Sequence, residues 1–66
     1  MITLTRLDGR EVVVNVDRVV FVEATPDTRL TLAGGSRLMV REEVAEVVRR
    51  AIEFQRLVGL SERKDG

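Results

Sequence analysis

The chain has 66 residues, enough for one small domain with a thin margin of buried apolar surface. It contains no Cys, His, Trp or Tyr, which excludes disulfides, thiol catalysis and histidine-based triads. Eleven basic and eleven acidic side chains give a formal net charge of zero, which argues against a polycationic nucleic-acid or membrane binder. We expect no cofactor, no metal site and no enzymatic activity.

The N-terminal half predicts a β-hairpin around Asp8–Gly9. A three-residue loop with a left-handed Gly9 would pair Leu4 with Val12 and Ile2 with Val14, placing four apolar side chains on one face. In the competing register, a two-residue turn would instead pair Arg6 with Glu11, and this cross-strand ion pair is worth ~0.2–1 kcal/mol. Burial of each aliphatic side chain is worth ~1.5–3 kcal/mol, so the three-residue loop is predicted.

The same turn chemistry recurs at Gly34–Gly35. A three-residue loop with Gly35 left-handed would pair Leu30 with Leu38 and Thr28 with Val40, again collecting the apolar side chains on one face. A second hairpin is therefore predicted.

Between the hairpins, Val19–Val22 is a run of four apolar residues, typical of a strand that is buried on both faces. Such burial needs either a curled, barrel-like sheet or a partner chain. The complete prediction is a five-stranded antiparallel sheet with strands at about 2–7, 10–14, 19–24, 28–33 and 36–41.

From residue 42 to 58 the apolar spacing becomes helical, and it predicts one C-terminal amphipathic helix that packs on the sheet. Gly59 is predicted to end this helix in a left-handed cap. The apolar residues Phe54, Leu57, Val58 and Leu60 are predicted to extend past the reach of a small sheet, towards another subunit or a partner. We therefore predict a single α+β domain over 1–58 and a polar, flexible tail over 59–66.

The predicted core combines the inward-facing positions of both hairpins, the central strand and the helix. Its members are Leu4, Val12, Val14, Val20, Val22, Leu30, Leu38, Val40, Val44, Val47, Val48 and Ala51.

Several segments together resemble the FlbD or SwrD family of small flagellar-operon proteins. The most specific is Thr25–Thr28, which reads Thr-Pro-Asp-Thr and follows an apolar strand that ends in Glu23. The others are Leu4–Gly9, Asn15–Asp17, the hairpin Thr31–Gly35 and the helix start Val40–Val48. The resemblance extends from Met1 to about Leu57.

This resemblance implies a cytoplasmic, non-enzymatic accessory protein of bacterial flagellar motility, associated with swarming and motor power and located at the flagellar base. Its implied partners are flagellar motor or stator-associated proteins. Only a partner-binding surface carries over, consisting of Asn15, Asp17, Glu23, Thr25, Pro26, Asp27 and Thr28. Glu23, Asp27 and Thr28 are predicted partner contacts, whereas Asn15 and Pro26 also suit turns.

A second resemblance is to the carbon storage regulator family of RNA-binding translational repressors. It rests on Leu4–Arg6, on Gly9, and on Val40–Glu43 at the helix start. It would make Thr5, Arg6 and Arg41 the RNA contacts. The segment Thr25–Thr28 has no counterpart in that family, so the motility interpretation is preferred and RNA binding is the alternative.

The arginines of the sheet region bear on this alternative. With only two aromatic residues, Phe21 and Phe54, both in core patterns, the chain lacks stacking platforms for single-stranded RNA. We therefore expect scattered, salt-bridged surface residues at Arg6, Arg10, Arg29, Arg37 and Arg41.

Self-association is also predicted. The Val19–Val22 run lacks polar alternation, the helical stripe is broader than five short strands cover, and zero net charge offers little repulsion between copies. A closed homo-oligomer, a dimer on base rates, would bury these surfaces. The alternative is a monomer whose sheet curls over its own second face.

Overall fold

The structure is a computed structural model that describes residues 1–24 and 26–63, with side chains as far as residue 59. It confirms the α+β class with one C-terminal helix. The elements are β1 (Ile2–Thr5), β2 (Glu11–Val14), a 3₁₀ turn (Val16–Arg18), β3 (Val19–Ala24), β4 (Thr28–Leu32), β5 (Arg37–Val40) and α1 (Val44–Arg63).

The strands form two sheets, so the predicted single five-stranded, curled or barrel-like sheet is wrong. β1 pairs with β2, and β3, β4 and β5 form a separate antiparallel sheet in that order. In the described residues, the two sheets are joined by one antiparallel β-bridge, between Arg6 and Val40. Next to this bridge, the Arg41 N–H donates a hydrogen bond to the Thr5 carbonyl at 2.8 Å. The pairing between β1 and β5 is short because β1 ends at Thr5 and the chain then turns. In this turn the Gly9 N–H donates a hydrogen bond to the Arg6 carbonyl at 2.9 Å.

Both hairpin registers are confirmed. Leu4 lies opposite Val12 and Ile2 opposite Val14, with Gly9 at φ 94°. In the second hairpin Leu30 lies opposite Leu38 and Thr28 opposite Val40. Gly35 has a φ of 95°, as predicted, and Gly34 is also left-handed at 94°.

A β-bulge changes the environment of β3. Val19 pairs with Leu32 and Phe21 with Thr31, so Val20 is an extra residue without a partner on β4. β3 is also an edge strand. Val20 and Phe21 are consequently 56% and 61% exposed, and the residues that the structure describes do not bury this run on both faces.

The core lies between the inner faces of both sheets and α1. Its buried apolar members are Ile2, Leu4, Val14, Leu30, Leu38, Val40 and Val47. Of the other predicted members, Val12, Val22, Val44 and Ala51 are half-buried, whereas Val20 and Val48 are exposed and were wrongly assigned. The two wrong assignments share a cause, because no described element covers the flank where β3 and α1 meet.

The helix is shifted relative to its predicted range of 42–58. It starts at Val44 because the Glu43 carbonyl accepts the first helical hydrogen bond, from the Val47 N–H at 3.0 Å. It continues to Arg63, and Gly59 lies inside it without a left-handed backbone, so the predicted cap is wrong. Glycine inside a helix costs only ~1 kcal/mol relative to alanine, which leaves the helix free to continue.

Two further expectations concern the end of the chain. Phe54 is half-buried and packs against the core, so the sheet reaches further along the helix than predicted. Residues 59–63 of the predicted polar tail are helical, and residues 64–66 lie outside the described part of the chain. Across the part that is described, no helix is long and apolar enough to cross a membrane.

Candidate interaction surfaces

The first predicted contact group lies at the 3₁₀ turn before β3. The Asn15 side chain caps this turn, accepting the Asp17 N–H at 3.0 Å through Oδ1. Both residues are exposed. Asn15 therefore has a local structural role, and Asp17 is the residue of this pair whose side chain is presented outward.

The second group lies at the β3–β4 hairpin. Glu23 forms an exposed ion pair with Arg29 across the strands at 3.4 Å, and Pro26 and Asp27 are exposed at the turn. Thr28 is buried, whereas Thr25 lies outside the described residues. In this group, Glu23, Pro26 and Asp27 are the residues open to a partner.

The two groups do not form one site. Asp17 precedes β3 and Asp27 follows it, so the six residues of the strand separate them. At about 3.3 Å per residue that separation is roughly 20 Å. A partner contacting both groups would have to extend along the whole of β3.

A polar clamp joins β1 to the start of the helix. Glu42 accepts two hydrogen bonds from Thr5, from the backbone N–H at 2.9 Å and from the hydroxyl at 2.8 Å. Arg50 lies 3.6 Å from the same carboxylate and donates to the Thr3 carbonyl at 2.8 Å. The clamp satisfies edge groups of β1 and fixes the first helical turn against it.

The pKa values of Glu42, just before the helix, and Glu46, in its first turn, reflect their hydrogen-bond partners. Hydrogen bonds from Arg49 and Arg50 lower the pKa of Glu46 from 4.5 to about 2. For Glu42, burial alone would raise the pKa, but hydrogen bonds from Thr5, with the charge of Arg50 nearby, outweigh it and hold the pKa below its usual range. Both groups therefore favour the ionised form in the folded state.

This predicts a loss of stability in acid. The unfolded chain takes up protons near pH 4.5, while folded Glu46 stays ionised to about pH 2, so stability is fully present above about pH 5 and falls between there and pH 2. Thermal unfolding followed by circular dichroism across this range measures the effect. Glu46→Gln should flatten the acid dependence, whereas Gln55→Asn, an uncharged exchange at an exposed position of the same helix, should not. An equal slope in both variants would contradict the assignment to Glu46.

The residues proposed for RNA contact are largely engaged within the chain. Arg41 donates to the Leu7 carbonyl from Nε at 3.0 Å and from Nη2 at 2.8 Å. Thr5 is bonded to the Glu42 carboxylate, a negative group that would face an RNA phosphate. Arg6 is exposed.

A surface that we call the β3–α1 face consists of the exposed side chains Val20, Val48 and Ile52 with the half-buried Val16, Val19 and Ala51. It forms because the apolar stripe of α1 is wider than the strip that β1 and β3 cover. The sequence showed the broad stripe and the unbroken apolar run of β3, but it assigned Val20 and Val48 to the core.

A second surface, the basic groove, opens between the β1–β2 hairpin and the β4–β5 hairpin and has a volume of about 290 Å³. Its arginines are Arg6, Arg18 and Arg37, and its floor includes Val12, Val14, Leu32 and Leu38. Sequence reasoning missed this cluster because its members come from three separate segments. Among the described residues, the expected salt bridges are confirmed for Arg10 and Arg29 but not for Arg6, Arg37 or Arg41.

Among the described residues, no group of three or more acidic side chains is arranged to bind a metal ion.

Comparison with curated proteins and with solved structures finds no match. The model of the FlbD family, described as flagellar and swarming motility proteins, matches residues 1–59 of the 66. This match covers both hairpins, the clamp and most of the helix, and the chain therefore belongs to the FlbD family of flagellar and swarming motility proteins.

Proposed function

We propose that the protein is a non-enzymatic accessory of bacterial flagellar motility, working through protein–protein contacts with motor or stator-associated proteins in the cytoplasm at the flagellar base. The family match supports the motility role. The observation that supports action through protein contacts, beginning with a contact between two copies of the chain, is the β3–α1 face, which groups the exposed aliphatic side chains Val20, Val48 and Ile52. Such grouping on a small chain is typical of an interaction surface.

The proposed occupant of the β3–α1 face is a second copy of the chain. The formal net charge is zero, so two copies meet without net repulsion. β3 is an edge strand whose second side is unpaired within the described residues, and it borders the face directly. A two-fold dimer would cover the face of both copies with one contact.

A dimer contact of standard size would take up a modest part of the surface of this chain. A standard interface buries roughly 800 Å² per partner. The chain exposes 4899 Å² in total, so a dimer would cover about a sixth of it. The helix of 20 residues is about 30 Å long and supplies the extended element that such a contact needs.

The test uses Val48→Glu with Leu7→Glu as its matched control, since both side chains are 42% exposed and Leu7 lies at the distant β1–β2 turn. Sedimentation equilibrium at tens of micromolar should give twice 7.4 kDa for the parent and for Leu7→Glu, and 7.4 kDa for Val48→Glu. In cells whose own gene is deleted, Val48→Glu should fail to restore swarming while Leu7→Glu restores it. Immunoblots and melting curves should show equal abundance and folding.

The two parts of the proposal fail separately. A parent protein that stays at 7.4 kDa on concentration would contradict the dimer. Deletion of the gene without any change in swarming or in motor torque would contradict the motility role.

A further inference from the structure

We propose that the basic groove binds an extended, acidic segment of a partner protein, which adds as a strand along the free edge of β2. The inference rests on the proposed function, for which it specifies the chemistry of the partner. It uses Arg6, Arg18 and Arg37 for charge recognition and the edge residues 12–14 for backbone pairing.

The first support is a group of arginines that form no ion pair in the described part of the chain. Arg6, Arg18 and Arg37 are all exposed, and within the described residues none of them takes part in an ion pair. No acidic residue lines the groove. In a chain with zero formal charge, three unpaired arginines around one opening form a local positive surface that complements carboxylates.

The second support is the free strand edge. β2 pairs only with β1 in the described structure, which leaves its other edge unpaired. Val12, Val13 and Val14 all line the groove. Since consecutive side chains of a strand point to opposite faces, three consecutive lining residues mean that the groove follows the edge itself. An added strand would satisfy the backbone groups there.

The third support is the size and polarity of the groove. Its volume of about 290 Å³ is at the lower limit for small-molecule sites. The floor is aliphatic, which favours a segment that alternates acidic with apolar residues. In an extended segment, side chains on the same face are about 6.6 Å apart. The apolar side chains of an alternating segment would therefore contact the floor, and its carboxylates would lie on the opposite face.

The lining also distinguishes a polypeptide from single-stranded RNA. None of the lining residues is aromatic, so bases would find no ring to stack on. The groove offers instead an aliphatic floor and an unpaired strand edge, which suit an alternating polypeptide. A short RNA is therefore the competing ligand in the test.

The experiment titrates the isotopically labelled full chain with a peptide of about eight residues in which Glu and Val alternate. We expect amide shifts that concentrate at residues 12–14 and 36–38, and affinity that falls as salt is raised. The double variant Arg18→Glu/Arg37→Glu should weaken binding by roughly tenfold or more. Arg56→Glu, an exposed arginine on the helix, should bind like the parent.

Two control peptides distinguish strand pairing with β2 from attraction between opposite charges alone. A block peptide with the same Glu and Val content and a Lys–Val alternating peptide should each bind at least several-fold more weakly. Absence of groove shifts at millimolar peptide, equal binding of the block peptide, or tighter binding of a short uridine RNA would each overturn the proposal. This binding is measured on the isolated protein, so its failure leaves the swarming phenotype of Val48→Glu as a separate result.

Discussion

Replacing Val47 by Asp should leave the protein unfolded at room temperature. Val47 is 3% exposed and, among the helix side chains that the structure describes, is the one buried in the core cluster. The substitution buries a carboxylate with no partner at the junction of helix and sheets, which costs several kcal/mol. A domain of this size has a stability near the lower limit of the usual ~5–15 kcal/mol, so little would remain.

Urea unfolding followed by far-ultraviolet circular dichroism measures this loss. Leu57→Asp is the matched control, since it introduces the same charge on the same helix at a side chain that is 61% exposed. We expect the control to keep a cooperative transition near that of the parent. A Val47→Asp protein with the parent's midpoint would mean that α1 does not pack on the sheets through this residue.

Replacing Glu42 by Ala should cost roughly 2–3 kcal/mol, the second-largest effect that we predict. The Glu42 side chain is only 11% exposed and accepts two hydrogen bonds from Thr5. Its removal leaves the Thr5 N–H and hydroxyl without their acceptor and takes a negative partner from Arg50. The β1–β2 hairpin would lose its main polar connection to the helix start.

The control for this variant is Glu43→Ala, the neighbouring exposed carboxylate, which should change stability by less than about 0.5 kcal/mol. A double-mutant cycle with Thr5→Val isolates the contact, and a coupling of at least about 1 kcal/mol is expected. Additive effects of Glu42→Ala and Thr5→Val would show that the clamp does not connect these residues energetically.

Both hairpins could be predicted in detail because their determinants are local. Gly9 and Gly35 supply the left-handed positions, and a shift of one residue would move every apolar side chain to the wrong face. The helix was recognisable from its period for the same reason. The resemblance to the FlbD family could likewise be recognised from the turn sequences, and the family match confirms it.

The ends of elements were less predictable. The apolar spacing placed Glu42 in the helix, but the helix begins at Val44 and the Glu42 carboxylate is held by Thr5, which is 37 residues away in the chain. The sequence also suggested a cap at Gly59, where the backbone simply continues as helix. Such boundaries depend on contacts or on small backbone preferences that no local pattern contains.

What the sequence by itself determined is the pairing within each hairpin, the helix and the family, all of which depend on neighbouring residues. Only the tertiary structure decided how the two hairpins meet. A single bridge between Arg6 and Val40, in place of a full ladder, leaves two sheets and an opening between them. That opening places Arg18 beside Arg6 and Arg37, while the bulge at Val20 turns an expected core strand into an exposed face beside Val48. Both surfaces are combinations of distant segments, so their composition follows from packing geometry and not from any spacing along the chain.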